Sequence, residues 1–358
     1  MKSEKLYEKE LNILKKKNRL RKRKIYDDNI IDLASNDYLG LAEKKDILDK
    51  AYEKAKEYHS HSAKASMLVN GYHPAHKILE EKLKELNNFE EAIIVGSGFL
   101  ANMALFELGR GGDVFYVDEE YHASGIAGSR LTNAEVKFFK HNDFENLKKI
   151  SVNYKKYNRV FTVVEGIYSM MGDKVKKEIT DYAQKIGYLI IDEAHSVGIC
   201  GDNLMGITDE YKLSPTNTIK MGTLGKALGS YGAYILANKE IIEFLLNKAR
   251  SIIYTTALSP VDSLLAFYAI EDITNNLNFY KEKLKKREKL FDSQSLIKII
   301  PSLSNKDLLK KQKELLEKNI LIGAIRPPTV KSPIFRIILR LNVSLDIIHE
   351  TLNSLGEK

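Results

Sequence analysis

The stretch Tyr188-Leu189-Ile190-Ile191-Asp192-Glu193-Ala194-His195 governs how the rest of the chain is read. A short run, apolar on both faces, ends in two carboxylates, and a histidine follows Asp192 three places on. Such a run suits a strand of a mostly parallel sheet covered by helices on each side. In open sheets of that kind, ligands bind beyond the C-terminal ends of the strands, where Asp192, Glu193 and His195 would stand. The same groups could instead cap the next segment or form part of a metal site. One carboxylate and one histidine are too few ligands for a metal, and the chain has no H-x-x-x-H pair.

Working outward, residues 92–95, 114–117, 160–164 and 233–237 repeat the apolar pattern and read as further strands. The stretches 143–157, 175–187 and 239–250 supply crossover helices. Upstream, 43–58 and 74–88 read as helices, with Pro74 in a first turn and Ile78, Leu79, Leu83 and Leu86 on one face. Past residue 261 the pattern changes to a long helical stretch, a helix over 306–318 and short strands near 320–325 and 335–341. The expected organisation is an N-terminal arm and substrate-site segment over 1–42, a large α/β domain over 43–260, and a smaller α+β domain over 261–358.

With 358 residues, 44% hydrophobic and 29% charged, the chain is globular and long enough for a substantial core. The formal charge of +8 invites a nucleic-acid reading until it is located. Residues 1–24 hold eleven Lys/Arg against three Glu, which accounts for the whole excess. A neutral body with a basic arm argues against a broad nucleic-acid face. The arm reads as a helix with a broken apolar stripe of Leu6, Leu11, Ile13, Leu14 and Leu20, docked on the body or a partner, or else contacting an anionic ligand. The single cysteine, Cys200, excludes an internal disulfide and the usual multi-cysteine zinc sites. No apolar run has signal-peptide or membrane-span length, so a cytoplasmic location without membrane attachment is expected.

Other strand ends carry chemistry too. Gly96-Ser97-Gly98-Phe99 links a strand to a helix, and glycines there let backbone N–H groups and a helix N-terminus meet an anion. Turns of this kind also use glycine for purely conformational reasons. The stretch Met221–Gly229 resembles a nucleotide P-loop but fails it: Lys220 stands where glycine is needed and Ala227 where a hydroxyl is needed. What remains is Lys226 among small residues, either a surface amine or a partly desolvated one able to act as nucleophile and base. His122 follows the strand over 114–117. Together these strand ends fit pyridoxal 5'-phosphate (PLP), which needs a phosphate cradle, an aromatic face, a carboxylate for its ring nitrogen and a lysine.

Further motifs run in a fixed order. They begin with Ser35-Asn36-Asp37-Tyr38-Leu39-Gly40-Leu41, then Gly71-Tyr72 with His76 ahead of Leu79-Glu80-Glu81. Gly96-Ser97-Gly98-Phe99, Asp118…His122-Ala123-Ser124 and Glu165-Gly166-Ile167-Tyr168-Ser169-Met170-Met171-Gly172-Asp173 follow. The series continues with Asp192-Glu193-Ala194-His195, Gly201, Thr223-Leu224-Gly225-Lys226, Ile253-Tyr254-Thr255-Thr256 and Arg326-Pro327-Pro328-Thr329-Val330. In this ordered series, from about Asp32 to Arg340, the chain resembles the α-oxoamine synthases. These are fold-type I PLP enzymes, aspartate-aminotransferase-like in fold, that condense an amino acid with an acyl thioester and lose CO2.

The resemblance implies roles by position. Lys226 would anchor the cofactor covalently, Asp192 would pair with its ring nitrogen, and His122 would stack on the ring. Ser169 and His195 would face its phenolic oxygen and the substrate. Gly98, Phe99, Thr223 and, from a neighbouring subunit, Thr255 or Thr256 would hold the phosphate. Arg336 matches the arginine that grips the amino-acid carboxylate, with Arg340 near enough to compete for that role, and Asn36 and Arg21 are further substrate-binding candidates. The stretch Ala324-Ile325-Arg326-Pro327-Pro328-Thr329-Val330 is most like members that join L-alanine to a pimeloyl thioester, carried on CoA or acyl carrier protein, as homodimers. Members using glycine or serine, or a silent scaffold on the same fold, are the alternatives. Two departures stand out: Ala63-Lys64-Ala65-Ser66-Met67 replaces a glycine-rich segment common in the family, and the stretch after Val330 is short.

Overall fold

The computed structural model describes residues 4–357. In chain order its strands begin with β1 (Ile31–Asp32), β2 (Glu91–Val95), β3 (Val114–Asp118), β4 (Glu135–Phe139), β5 (Val160–Glu165) and β6 (Tyr188–Asp192). They continue with β7 (Thr218–Thr223), β8 (Ala233–Ala237), β9 (Ile297–Pro301), β10 (Ile320–Leu321), β11 (Gly323–Ile325) and β12 (Ile334–Ile338). The chain folds into two compact units. The larger takes Asp37–Ser169 and Asp173–Ser295; the smaller takes the chain through Asn36, Met170–Gly172 and everything from Leu296 onward.

In the larger unit, β2 to β8 form a seven-stranded sheet in the order β2-β8-β7-β6-β5-β3-β4. The five strands from β7 to β4 are mutually parallel, and β8 runs antiparallel to both its neighbours. From β3 the chain steps outward to β4 and then returns to β5 on the other side, so the strand order reverses there. A reversal opens a crevice at the C-terminal strand ends. His122 follows one of these two strands and Ser169 the other.

Strands β3, β5 and β8 are buried along their whole length, as runs apolar on both faces require. Two strands of this sheet escape the sequence reading for opposite reasons, and β1 and β9 of the smaller unit escape it as well. Strand β4 forms the sheet edge and alternates charge with exposure, so it has no continuous apolar run. Strand β7 is buried but contains Lys220, which breaks its apolar pattern. The Lys220 amine is fully enclosed and donates to Asn87 Oδ1 (2.6 Å), to Thr208 Oγ1 (2.9 Å) and to the Met205 carbonyl. Desolvation pushes its pKa down.

The expected crossover helices are present at Lys177–Ile186 and Lys239–Lys248, while 143–157 resolves into Phe144–Ile150 and a 3-10 turn at Tyr154–Lys156. Pro74 opens the helix Pro74–Asn87. Helix Pro260–Asn275 packs on that helix and on Lys45–Lys56, and together with Leu277–Phe291 it belongs to the larger unit. An aromatic stack lies at the centre of the core: Phe115 sits 4.9 Å from Phe106 and 4.7 Å from Phe161, centroid to centroid. Such pairs add to the stabilisation that burial alone provides.

In the smaller unit, β11, β12 and β9 form an antiparallel sheet and β1 pairs parallel with β10. Helices Asn305–Leu316 and Leu345–Ser354 belong to it. The helix expected over 1–24 spans Glu4–Lys16 and then gives way to extended chain. Residues 1–3 of that reading, and the side chain of Leu6, lie outside the described residues. Leu11, Ile13 and Leu14 of its apolar stripe are exposed. Among the described residues no helix is long and apolar enough to cross a membrane.

Replacing Phe115, which is wholly buried, should test the core directly. Phe115→Ala is expected to lower unfolding free energy in urea by ~3–5 kcal/mol while the far-ultraviolet dichroism stays native.

Candidate active site

Polar groups collect at the C-terminal edge of the large sheet because the strands end in register, with Glu165 beside Asp192 and Asp192 beside Met221. Where β2 ends, Ser97 caps the helix Gly98–Phe106 by accepting from the Leu100 N–H at 3.3 Å. A Cβ built on Gly98 would meet nothing within 4 Å, and Phe99 is half exposed. The positive end of the helix therefore opens onto room for an anion. Thr255 packs against Gly96, and with Thr256 and Val95 it lines a small pocket of the same chain.

Asp192 is buried and accepts from two donors: the Ala194 N–H at 2.9 Å and the Asn102 side-chain amide at 3.1 Å. Its neighbour Glu193 does something different. Its carboxylate accepts from the backbone N–H groups of Ile207 (2.8 Å) and Thr208 (2.7 Å) and from the Ser196 hydroxyl. This fixes Glu193 as a structural anchor for the short helix Ile207–Glu210. Glu165, also buried, accepts the Ser169 N–H at 2.9 Å on Oε2, while Oε1 has no hydrogen-bond partner. Burial, and next the charge of Asp192, push its pKa well above the usual carboxylate range.

His122 caps the helix Ala123–Gly128, its Nδ1 accepting the Ser124 N–H at 3.2 Å and lying 2.6 Å from the Ser124 hydroxyl. The residue is exposed by area, but protein crowds its Nδ1 side, and this desolvation is the main cause of a lowered pKa. Asp192 and Lys226 follow as opposing influences, which places both charges within reach of the imidazole. His195 is buried, with Nδ1 2.5 Å from the hydroxyl of Tyr38.

Two devices bring the lysine turn to this group. Thr223, at the end of β7, donates to the Gly232 carbonyl at 3.0 Å and accepts from the Gly225 N–H at 3.2 Å. Gly198 has φ +80, and a Cβ there would stand 2.7 Å from that of Ala227. Only glycine permits both the left-handed backbone and so close an approach. Lys226 itself is half-buried.

Lys226, Asp192, His122, Ser169, His195, Thr223, Gly98 and Phe99 therefore all lie on one edge of the larger unit. Their environments suit PLP: a buried carboxylate, an imidazole fixed at one edge and open elsewhere, an open helix N-terminus and an adjacent amine. Thr255 and Thr256 also belong to the larger unit, and the substrate-binding candidates belong to the smaller one. There Arg336 Nη1 donates to Asn36 Oδ1 at 3.0 Å, whereas Arg340 Nη1 donates to the Asp32 carbonyl at 3.1 Å. Arg21 donates to Thr329 Oγ1 at 3.1 Å, and Arg326 to the Asn18 carbonyl at 2.9 Å.

Sequence reasoning did not find Tyr38, Asn102, Tyr121, Ser124, His141 or Glu165 as single functional side chains. Asn102 did carry a signal, as the lone polar residue in the otherwise apolar helix Gly98–Phe106. His141 had none. It lies between Asp118 Oδ1 and Asp173 Oδ2, 3.0 Å from each. Burial lowers its pKa, but the hydrogen bonds to Asp118 and Asp173 outweigh burial and raise it to about 10. A raised histidine pKa stabilises the fold fully below the unfolded value of about 6.5, and that contribution is lost as pH climbs through about 10. His141→Gln should therefore cost ~1.5–3 kcal/mol near pH 6 and progressively less toward pH 10, measured by urea unfolding at each pH.

A family described as aminotransferase class I and II matches residues 28–352. The 8-amino-7-oxononanoate synthase of Helicobacter pylori (strain ATCC 700392 / 26695) is 42% identical over 360 residues, covering 98% of this chain and 96% of its own. The protein of that name from Helicobacter pylori (strain J99 / ATCC 700824) is 41% identical with the same coverage. Among solved structures, 8-amino-7-oxononanoate synthase from Francisella tularensis is 28% identical with a TM-score of 0.77, covering 92% of this chain and 98% of that one. Serine palmitoyltransferase of Sphingomonas wittichii is 25% identical with a TM-score of 0.82, covering 91% and 86%. The chain therefore belongs to the aminotransferase class I and II family, as a fold-type I, PLP-dependent acyltransferase of the α-oxoamine synthase group.

Proposed function

We propose that this enzyme condenses L-alanine with a pimeloyl thioester, on CoA or acyl carrier protein, to give 8-amino-7-oxononanoate, CO2 and thiol for biotin synthesis. The observation that carries the reading is the 42% identity to a synthase of that name over 98% of the chain, together with the groups gathered around Asp192. The backbone likeness to serine palmitoyltransferase reflects a shared fold. The Arg326–Val330 stretch and the higher sequence identity favour alanine.

Bound PLP supplies an electron sink for charge developing at the substrate Cα. The chain's own residues do the rest. Lys226 anchors the cofactor, and its Nζ takes the proton from Cα and later returns one. Asp192, a buried carboxylate, would pair with the ring nitrogen and favour a positive charge there. His122 covers the ring face. The helix N-terminus at Gly98 and Phe99, the Thr223 hydroxyl once its proton turns from the Gly232 carbonyl, and Thr255 or Thr256 of a second subunit in a homodimer would hold the phosphate. Arg336, braced by Asn36, holds the alanine carboxylate. His195, oriented through Nδ1 by Tyr38, assists at the thioester carbonyl from Nε2. Ser169 faces the phenolic oxygen. Loss of CO2 from the condensed β-keto acid then needs no further acid or base, because the new ketone accepts the electrons. Neither nucleic acid nor membrane takes part, and the enzyme works in the cytoplasm.

Two outcomes test this. Lys226→Ala should retain PLP noncovalently and lose turnover by at least ~100-fold. Thiol release should be fastest with alanine and pimeloyl-CoA or its carrier-protein equivalent, among alanine, glycine and serine paired with pimeloyl-, acetyl- and succinyl-CoA. Activity with glycine alone would overturn the substrate assignment and leave the family unchanged. The basic arm gives a further prediction: neutralising Arg19, Arg21 and Arg23 should raise the thioester KM in a salt-sensitive way and spare alanine binding. An unchanged thioester KM would remove the arm from the site.

A further inference from the structure

We propose that Asn102 is a positioning residue whose single side-chain amide sets Asp192 and His122 together, with Tyr121 and Ser124 as its partners. The inference rests on the function proposed above, in which those two residues hold the PLP ring.

The donors and acceptors assign themselves. The Asp192 carboxylate can only accept, so the Asn102 group 3.1 Å from it must be the NH2. That leaves Asn102 Oδ1 facing the Tyr121 hydroxyl at 2.5 Å, and the phenol must donate. Tyr121 remains a phenol because burial, and next the charge of Asp192, raise its pKa well above the usual value. The second amide proton goes to Ser124 Oγ at 2.9 Å. Ser124 is therefore an acceptor toward Asn102, and its own proton points to His122 Nδ1 at 2.6 Å. The Ser124 backbone N–H reaches the same nitrogen at 3.2 Å.

His122 Nδ1 thus receives two donors and carries no proton; the proton resides on Nε2 and the ring is neutral. The charged groups that reach this imidazole are Asp192, which favours protonation, and Lys226, which opposes it. A protonated His122 would compete with the cofactor ring for the attraction of Asp192. By fixing Nδ1 as an acceptor while feeding a donor to Asp192, Asn102 keeps that carboxylate for the ring nitrogen. Asn102 is 1% exposed, so water cannot take over its role.

The test uses the full-length protein, with and without PLP. The imidazole C–H resonances of His122, assigned by their loss in His122→Gln, are titrated by NMR before cofactor is added. PLP affinity is then measured by absorbance. In Ser124→Ala the His122 titration should move up by about one unit, tenfold in proton affinity. In Asn102→Leu, which keeps the branching of the side chain and removes its polar atoms, His122 should move up and PLP affinity should fall at least ~10-fold, at native dichroism. An unmoved His122 titration in both variants would overturn the proposal and reduce Asn102 to core filling. If Asn102→Leu does not fold, Ser124→Ala alone decides: a shifted titration supports the network and an unshifted one refutes it. The titration needs no cofactor. A wild-type chain that fails to bind PLP would therefore count against the proposed function and not against this network.

Discussion

Burying a carboxylate costs free energy unless donors replace the water it leaves. Asp192 meets that requirement through Asn102 and the Ala194 N–H, and most of the site follows from how it does so. The amide comes from the helix after β2, the Ser124 partner from the helix after β3, and the carboxylate itself from the end of β6. Three separate strand ends are thereby tied at one point. Glu165, one strand away and in register with Asp192, has its pKa pushed up by burial and next by the charge of Asp192.

The same residue type does four different things within a few ångströms of this edge. Asp192 is held by Asn102 and the Ala194 N–H; Glu193 anchors a helix; Glu165 has its pKa pushed up by burial; Asp118 clamps His141. Environment, not chemical identity, assigns each role. Lysine divides in the same way. Lys220 is enclosed by three oxygen acceptors inside the fold, while Lys226, six residues on, stands on a turn shaped by Thr223 and packed under Gly198. Of the two, Lys226 is the one proposed to meet a ligand at the strand ends.

Much of this was legible in the sequence where apolar runs were uninterrupted. Strands β3, β5, β6 and β8 are uniform in hydropathy, and each ends in a residue with a chemical task or a turn, so both the element and its exit could be read. Strand β4 could not, because an edge strand may be polar, nor β7, because Lys220 finds partners contributed by Asn87 and Thr208, far from it in the chain. The ordered motifs pointed to Lys226, Asp192 and His122, but not to what orients them. Asn102 and Tyr38 act through hydrogen bonds to residues 90 and 157 positions away. No local pattern encodes contacts of that range. Only the lone asparagine in an apolar helix hinted at one.

On the function proposed, Lys226 and no other lysine holds the cofactor beside Asp192. Borohydride reduction of the PLP-loaded enzyme, followed by peptide mapping by mass spectrometry, measures this most directly. The account predicts one labelled peptide, with the pyridoxyl mass on Lys226 and none on Lys220. Label on Lys220 or another lysine, or no label on a chain that binds PLP, would contradict it.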